Sequence, residues 1–224
     1  MSIRFPLIVS IALIAAMLAA SLYVWTVLPE HAQVPVHWDI DGKVNGFAGK
    51  SFALFYAPAI LSAICALLAF IPRIEPRRLN LANSAKFYRA TWIGIVCVLA
   101  AIHAATLSAA LRLPVNVALI ATVGIALVFM LIGNYLGKTR SNFFAGIRTP
   151  WTLSSEYSWE RTHRLTGRLF VLTGAVGLAA LLAFGVRTAS LILFAALGAS
   201  AVVGVVMSYV YWRRDPERRT GAQK

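Results

Sequence analysis

Residues 133–168 read GNYLGKTRSNFFAGIRTPWTLSSEYSWERTHRLTGR, and here the side chains able to do chemistry collect. Arg140 and Arg148 offer planar guanidinium forks that suit phosphate or carboxylate oxygens. Tyr135 and Lys138 suit a helix end at an interface, and Ser141, Asn142 and Gly146 permit a compact loop. Thr149 precedes Pro150 and is biased toward an extended conformation. From Ser154 the pattern predicts a helix: Ser154 and Ser155 can cap free N–H groups, and Glu156 places negative charge in the first turn. Spacing along that helix gives Glu156, Glu160, His163 and Arg164 a common face, with Glu160 and Arg164 in the favourable i,i+4 order. Glu156, Glu160 and His163 could serve there as metal or acid–base ligands, but an ion-paired surface face is the simpler reading. Trp151 and Trp159 suit a segment lying on a membrane surface.

A second cluster lies in residues 28–50, LPEHAQVPVHWDIDGKVNGFAGK. Pro29, Pro35, Gly42, Gly46 and Gly49 mark turns, and 34–40 reads as a short extended segment. On such a segment His37, Asp39 and Asp41 would project from one face, with Glu30 and His31 nearby, which could assemble a metal site. The alternative is a solvated loop with Trp38 and Phe47 at the interface, since no helical ligand spacing supports a metal. His103 is the one ionisable residue deep in an apolar run, a functional candidate by its position; a hydrogen bond to a neighbouring helix would also account for it. Cys65 and Cys97 fall inside apolar runs and read as packing residues. No catalytic residue, metal or cofactor is assigned.

The elements that must position these residues are apolar. Of 224 residues 59% are hydrophobic and 13% charged, with mean hydropathy +0.75; a soluble domain would carry roughly 25% charge. Runs at 5–27, 52–71, 91–111, 117–136, 169–186 and 189–211 are each close to the ~20 residues that cross a hydrocarbon core. The expectation is an all-α polytopic membrane bundle of six transmembrane helices in the cell membrane. The first helix is uncleaved, because its apolar run exceeds the ~7–15 residues of a signal peptide. Pro58 is expected to kink the second helix, and Arg187 and Thr188 to join the last two as a tight pair. Small-residue stripes at Ala100, Ala104 and Ser108 and at Ala175, Ala179 and Ala183 suit close helix approach.

The net charge of +13 sits beside the apolar runs rather than on a recognition module, which argues against nucleic acid. With the N-terminus inside, all but Lys43, Lys50, Arg112 and Arg187 of the 21 bases fall on the cytoplasmic side, so both termini and the 133–168 loop are expected there. The expected divisions are an N-terminal helical hairpin (1–71) with its extracytoplasmic loop, a third helix (72–116), a motif-bearing region (117–211) and a basic tail (212–224). Asp, Glu, Lys and Arg are absent from all six interiors, which argues against an ion-coupled transporter. A transporter or exporter of small amphipaths, or a membrane metalloenzyme, remains an alternative. Anionic lipid headgroups are the simplest partners for Arg140 and Arg148.

At these residues the chain resembles the SdpI family of bacterial membrane proteins. The match runs through Gly133-Asn134-Tyr135, Asn142, the string Gly146-Ile147-Arg148-Thr149-Pro150-Trp151-Thr152-Leu153, Trp159, Thr162-His163 and Gly167. The outer loop looks like a module often N-terminal in that family, at Leu28-Pro29, Val34-Pro35, His37-Trp38, Gly42 and Lys50, with Asn45 where the module commonly has Asp. Together these regions cover about 1–71 and 119–204. The resemblance implies a non-enzymatic immunity protein that protects against a secreted, membrane-damaging peptide toxin, with possible signalling through a cytoplasmic regulator. Partner or lipid binding is then expected at Arg140, from its guanidinium chemistry, and at Asn134, Asn142, Arg148, Thr149, Pro150, Trp151, Trp159, Thr162 and His163 of the matched motif. Outside, the resemblance points to Pro35, His37, Trp38, Gly42 and Lys50.

Overall fold

A computed structural model describes residues 1–219, so the end of the expected basic tail, Lys224 included, lies outside the described residues. The helices are α1 (Arg4–Val27), α2 (Lys50–Ile74), α3 (Arg78–Asn83), α4 (Ala85–Ala110), α5 (Val117–Leu136), α6 (Pro150–Leu153), α7 (Glu156–Arg213) and α8 (Pro216–Arg219). Among the described residues five of them, α1, α2, α4, α5 and α7, are long and apolar enough to cross a membrane. The chain is an all-α membrane bundle with one small sheet. α2 runs unbroken through Pro58 and Pro72.

α7 is two helical limbs joined at Gly185. Gly185 has φ 80 and ψ 178, a conformation open to glycine and costly for residues with a Cβ. Beyond it the chain folds back on itself: Thr173 bonds Ser200 at 3.2 Å, and a Cβ on Gly177 would touch Leu193. The reversal falls two residues before the expected connection. Each limb spans roughly 40 Å at 1.5 Å per residue.

The bundle therefore has two ends. At one, the strands β1 (Gln33–Trp38) and β2 (Val44–Gly49) form an antiparallel hairpin between α1 and α2, with an irregular register beside His37. β1 is the expected extended segment; β2 was not foreseen, because its Asn and Gly residues carry no alternation. The Gly185 reversal lies at this end too, since Arg187 meets Asp41 of the hairpin at 3.4 Å. At the other end stand the loop 137–155, α3, and the final turn of α7. We call these the hairpin end and the motif end.

Most polar side chains buried in the bundle are paired, as an apolar surround demands, the hydroxyls of Thr91, Thr162 and Thr166 and Nδ1 of His103 being left unmet among the described residues. Trp92 on α4, fully buried, donates to Ser10 on α1 at 2.9 Å, and packs with Met17, Leu61 and Leu81. The close contacts of α5 with α7 use glycine rather than the alanine stripe at 175, 179 and 183. A Cβ on Gly133 of α5 would lie 2.5 Å from the Gly167 carbonyl of α7, and one on Gly174 would lie 2.6 Å from the Ala126 carbonyl. Ala175, Ala179 and Ala183 instead face outward, because Thr173, Gly174, Gly177 and Ala180 take the inner face.

Candidate functional site

The loop at the motif end is folded by its own side chains first. Asn142 is fully buried; its Oδ1 accepts from the N–H groups of Phe144 (3.1 Å) and Ala145 (2.7 Å), and its Nδ2 donates to the Arg140 carbonyl. Thr149 caps α6: its hydroxyl accepts from Thr152 N–H at 3.2 Å, and the Thr152 hydroxyl accepts from Thr149 N–H at 3.0 Å. Pro150 follows at the first helical position, where its missing N–H costs nothing. Ser155 caps α7 by accepting from Ser158 N–H at 3.0 Å.

Trp159 and His163, one turn apart on α7, then latch that loop to the bundle. Their rings stack with centroids 4.0 Å apart, and both side chains are fully buried. Trp159 donates to the Thr139 carbonyl at 3.1 Å. His163 Nδ1 donates to the Trp159 carbonyl at 2.7 Å, which leaves Nε2 to accept from Ile147 N–H at 2.9 Å. One ring nitrogen donates and the other accepts, so the imidazole is held neutral by geometry. Gly146 makes the arrangement possible: its φ is 110, and a Cβ there would run into the His163 ring.

Two further segments close the loop from outside it, and sequence reasoning missed both. Glu75, fully buried after α2, accepts from Arg77 N–H (2.8 Å) and Phe143 N–H (3.0 Å). The Arg77 guanidinium donates to Ser141 and to the Leu153 carbonyl (3.0 Å) and lies over the Phe143 ring. Asn80 donates to the Ser141 carbonyl, and Ser84 accepts from Arg140 N–H. From the end of α7 and the turn that follows it, Ser208 meets Thr149 at 3.0 Å, and Asp215 accepts from the Ser155 hydroxyl at 2.5 Å. A usable signal existed: Glu75 is the single acid among Arg73, Arg77 and Arg78. In the sequence that cluster counts only as charge bias.

The residues expected to bind a partner or lipid therefore divide. Asn142, Trp159 and His163 are fully buried and hold the loop, and Thr162 is equally buried, so none of them presents a surface. Trp159 in particular does not lie on a membrane surface. Its indole donor has a backbone partner indoors, which offsets the loss of water. Asn134, Arg140, Arg148 and Pro150 are exposed. Trp151 is half-buried against Tyr209, with ring centroids 5.1 Å apart, and Thr149 is half-buried. Arg148 donates to the Phe143 carbonyl at 2.9 Å, which fixes it beside the loop.

The expected shared face of Glu156, Glu160, His163 and Arg164 does not form. His163 turns inward, while Glu160 pairs with Arg140 at 2.6 Å and with Arg164 at 3.5 Å. The i,i+4 pair is present; the ligand cluster is not assembled.

The hairpin residues also separate. His37 meets Asn45, Asp39 accepts from the N–H groups of Asp41 and Lys43 (both 2.9 Å), and Asp41 faces Arg187. A bulge and a turn break the alternation that would have aligned the three. Among the described residues no three His, Cys, Asp or Glu side chains come together as metal ligands. Trp38 and Pro35 are half-buried, and Gly42, at φ 79, turns the hairpin against Asn116. Lys50 is buried, donating to the Leu28 carbonyl at 2.8 Å with its ammonium 4.5 Å from the Trp25 ring centre.

The latch spans Thr139 to Ser208, and comparison with known proteins marks the same stretch. Residues 138–208 match the SdpI/YfhL protein family. The SdpI resemblance read from the motif residues is thereby shown. Residues 12–61, which hold the hairpin and the helix halves beneath it, match a domain of unknown function, DUF1648. The chain is also similar to the Immunity protein SdpI of Bacillus subtilis (strain 168), 25% identical over 207 residues, covering 92% of this chain and 96% of the relative. No solved structure matches it. With five membrane-length helices, this SdpI-like chain is a multi-pass protein of the cell membrane.

Proposed function

We propose that the chain is a non-enzymatic immunity protein that protects its cell from a membrane-active peptide. The carrying observation is the likeness to the Immunity protein SdpI along nearly the whole length of both chains. On this reading both limbs of α7 cross the membrane, giving six spans, and the motif end faces the cytoplasm. The bias of Lys and Arg toward that end supports the orientation. The exposed Arg148, Pro150 and half-buried Trp151, with Asn134 and Arg140 exposed at the same end of the bundle, then form an inner docking surface for anionic headgroups or the carboxylates of a regulator. The buried latch keeps that surface in one shape.

The test is survival of a sensitive bacterium expressing the protein, challenged with a panel of membrane-active peptides. Protection is expected from the intact chain and is expected to fall for Arg148→Ala and Trp151→Ala at equal membrane abundance. Unchanged killing across the panel removes the immunity reading. The orientation has its own check: a cysteine at the exposed Ser154 should react with a membrane-impermeant reagent only after the cells are opened.

A further inference from the structure

Where α5 meets the first limb of α7, toward the motif end, an outward groove of about 660 Å³ runs along the seam. Its floor is backbone. A Cβ on Gly137 would lie 3.1 Å from Arg164 Cα, and one on Gly167 would lie 2.6 Å from the Gly133 carbonyl, so the two helices touch without side chains between them. The walls stand on either side. Asn134 and Lys138, one turn apart, rise from α5, and Arg164, Arg168, Leu172 and Ala175, on successive turns, rise from α7.

The walls change character with depth. Gly137 faces Arg164 and Gly133 faces Gly167, which sets Lys138 and Arg164 at one level and Asn134 and Arg168 about a turn deeper. Lys138 lies just past the end of α5, and Arg168 immediately precedes the apolar run that opens at Leu169. The cations therefore stand at headgroup depth, whereas Leu172 and Ala175, both exposed, stand among acyl chains.

The charge at the upper end is largely unspent. The side chains of Arg168 and Asn134 make no hydrogen bond or ion pair among the described residues. Lys138 has only the Tyr135 ring, 5.5 Å from its ammonium. The acid in contact with these cations is Glu160, which holds Arg140 at 2.6 Å and reaches Arg164 at 3.5 Å. A net positive charge is left directly above an apolar wall. Water could serve the charge but not the wall, and a free anion could serve only the charge. A zwitterionic lipid would bring an ammonium of its own against the three cations, while an anionic phosphodiester brings none.

We propose that this groove binds one anionic glycerophospholipid, its phosphodiester held by Lys138, Arg168 and Asn134 and the head of an acyl chain laid against Leu172 and Ala175. The groove shares Asn134 with the inner docking surface, but the proposal rests only on α5 and α7 standing in the bilayer and not on the immunity reading.

The experiment titrates the full chain in neutral detergent with phosphatidylglycerol and with phosphatidylcholine, and counts bound lipid by native mass spectrometry. Phosphatidylglycerol should fill one site at least about tenfold more tightly than phosphatidylcholine. Arg168→Gln should weaken it about fivefold, and adding Lys138→Gln should bring the loss to roughly twentyfold, about one surface cation's worth at each step. A diazirine at the top of its acyl chain should label 171–175. Arg161→Gln removes the same charge from an exposed residue outside the groove and should change affinity less than about twofold. All these side chains are exposed, and thermal unfolding of each variant checks that it is folded. Equal affinity for the two lipids overturns the proposal, as does displacement by inorganic phosphate, which would mark a free-anion site. A loss on Arg161→Gln or Arg148→Ala as large as that on Arg168→Gln also overturns it, by placing the lipid on general surface charge or on the docking surface. None of these outcomes bears on survival under peptide challenge, so the two readings fail separately.

Discussion

At the motif end His163 uses both ring nitrogens, one donating to the Trp159 carbonyl and one accepting from Ile147 N–H. At the hairpin end His103 uses one, and beside it lies a cavity instead of a stacked indole. Both rings are almost wholly out of water. The first closes a loop on itself with both nitrogens met; the second is held to α1 through one nitrogen and buries the other unmet. A buried histidine is thus read by its second nitrogen. Satisfied on both sides, it locks two segments together; satisfied on one, it ties its helix to a single neighbour.

That contrast can be broken most severely at Gly146. Gly146→Ala adds a Cβ at φ 110 against the His163 ring, and should cost ~3 kcal/mol in unfolding of the detergent-solubilised protein. Proteolysis within 137–155 should accelerate in parallel. A variant as stable as the parent would mean that the latch is not closed. Next comes His163→Leu, which strands the Ile147 N–H and should cost ~2 kcal/mol, measured the same way. His103→Leu removes a bond to Ser21 and strands no backbone N–H, so its effect on unfolding should be smaller than that of His163→Leu. The reverse order would contradict the difference between the two rings.

Glu75→Gln sharpens the picture at the motif end. The amide can accept only one of the two N–H groups that the carboxylate serves, so a loss of about 1–2 kcal/mol is expected in thermal unfolding. The smallest effect belongs to the hairpin. Asp41→Asn weakens an exposed pair with Arg187 at 3.4 Å and should change stability by no more than ~0.5 kcal/mol in the same assay.

Much of the architecture was legible because its cause is local. An apolar run near membrane length becomes a helix wherever its backbone must be satisfied without water, and 117–136 matches the observed Val117–Leu136 residue for residue. The helix after Pro150 and its serine cap were readable for the same reason. The site was legible as a location but not as an arrangement. Trp159 and His163 were expected at a surface because aromatic and ionisable residues next to a span usually sit there; burial depends on Thr139 and Ile147 reaching them, 20 and 16 residues away. Glu75 and Asp215 were invisible because their partners lie 60 or more residues distant. At the hairpin, one irregularity in strand register scattered three residues that regular alternation would have aligned.

By itself the sequence determined that this protein lives in a membrane, which segments are helical, where the polar motif lies and which family it resembles. These follow from composition, run length and short-range spacing, all properties of the chain before it folds. The tertiary structure decided which motif residues face inward, how a glycine turns the last helix back, and that His103 borders a cavity. Those depend on which groups from distant segments meet, because in an apolar surround a buried donor or acceptor is held by whichever partner reaches it.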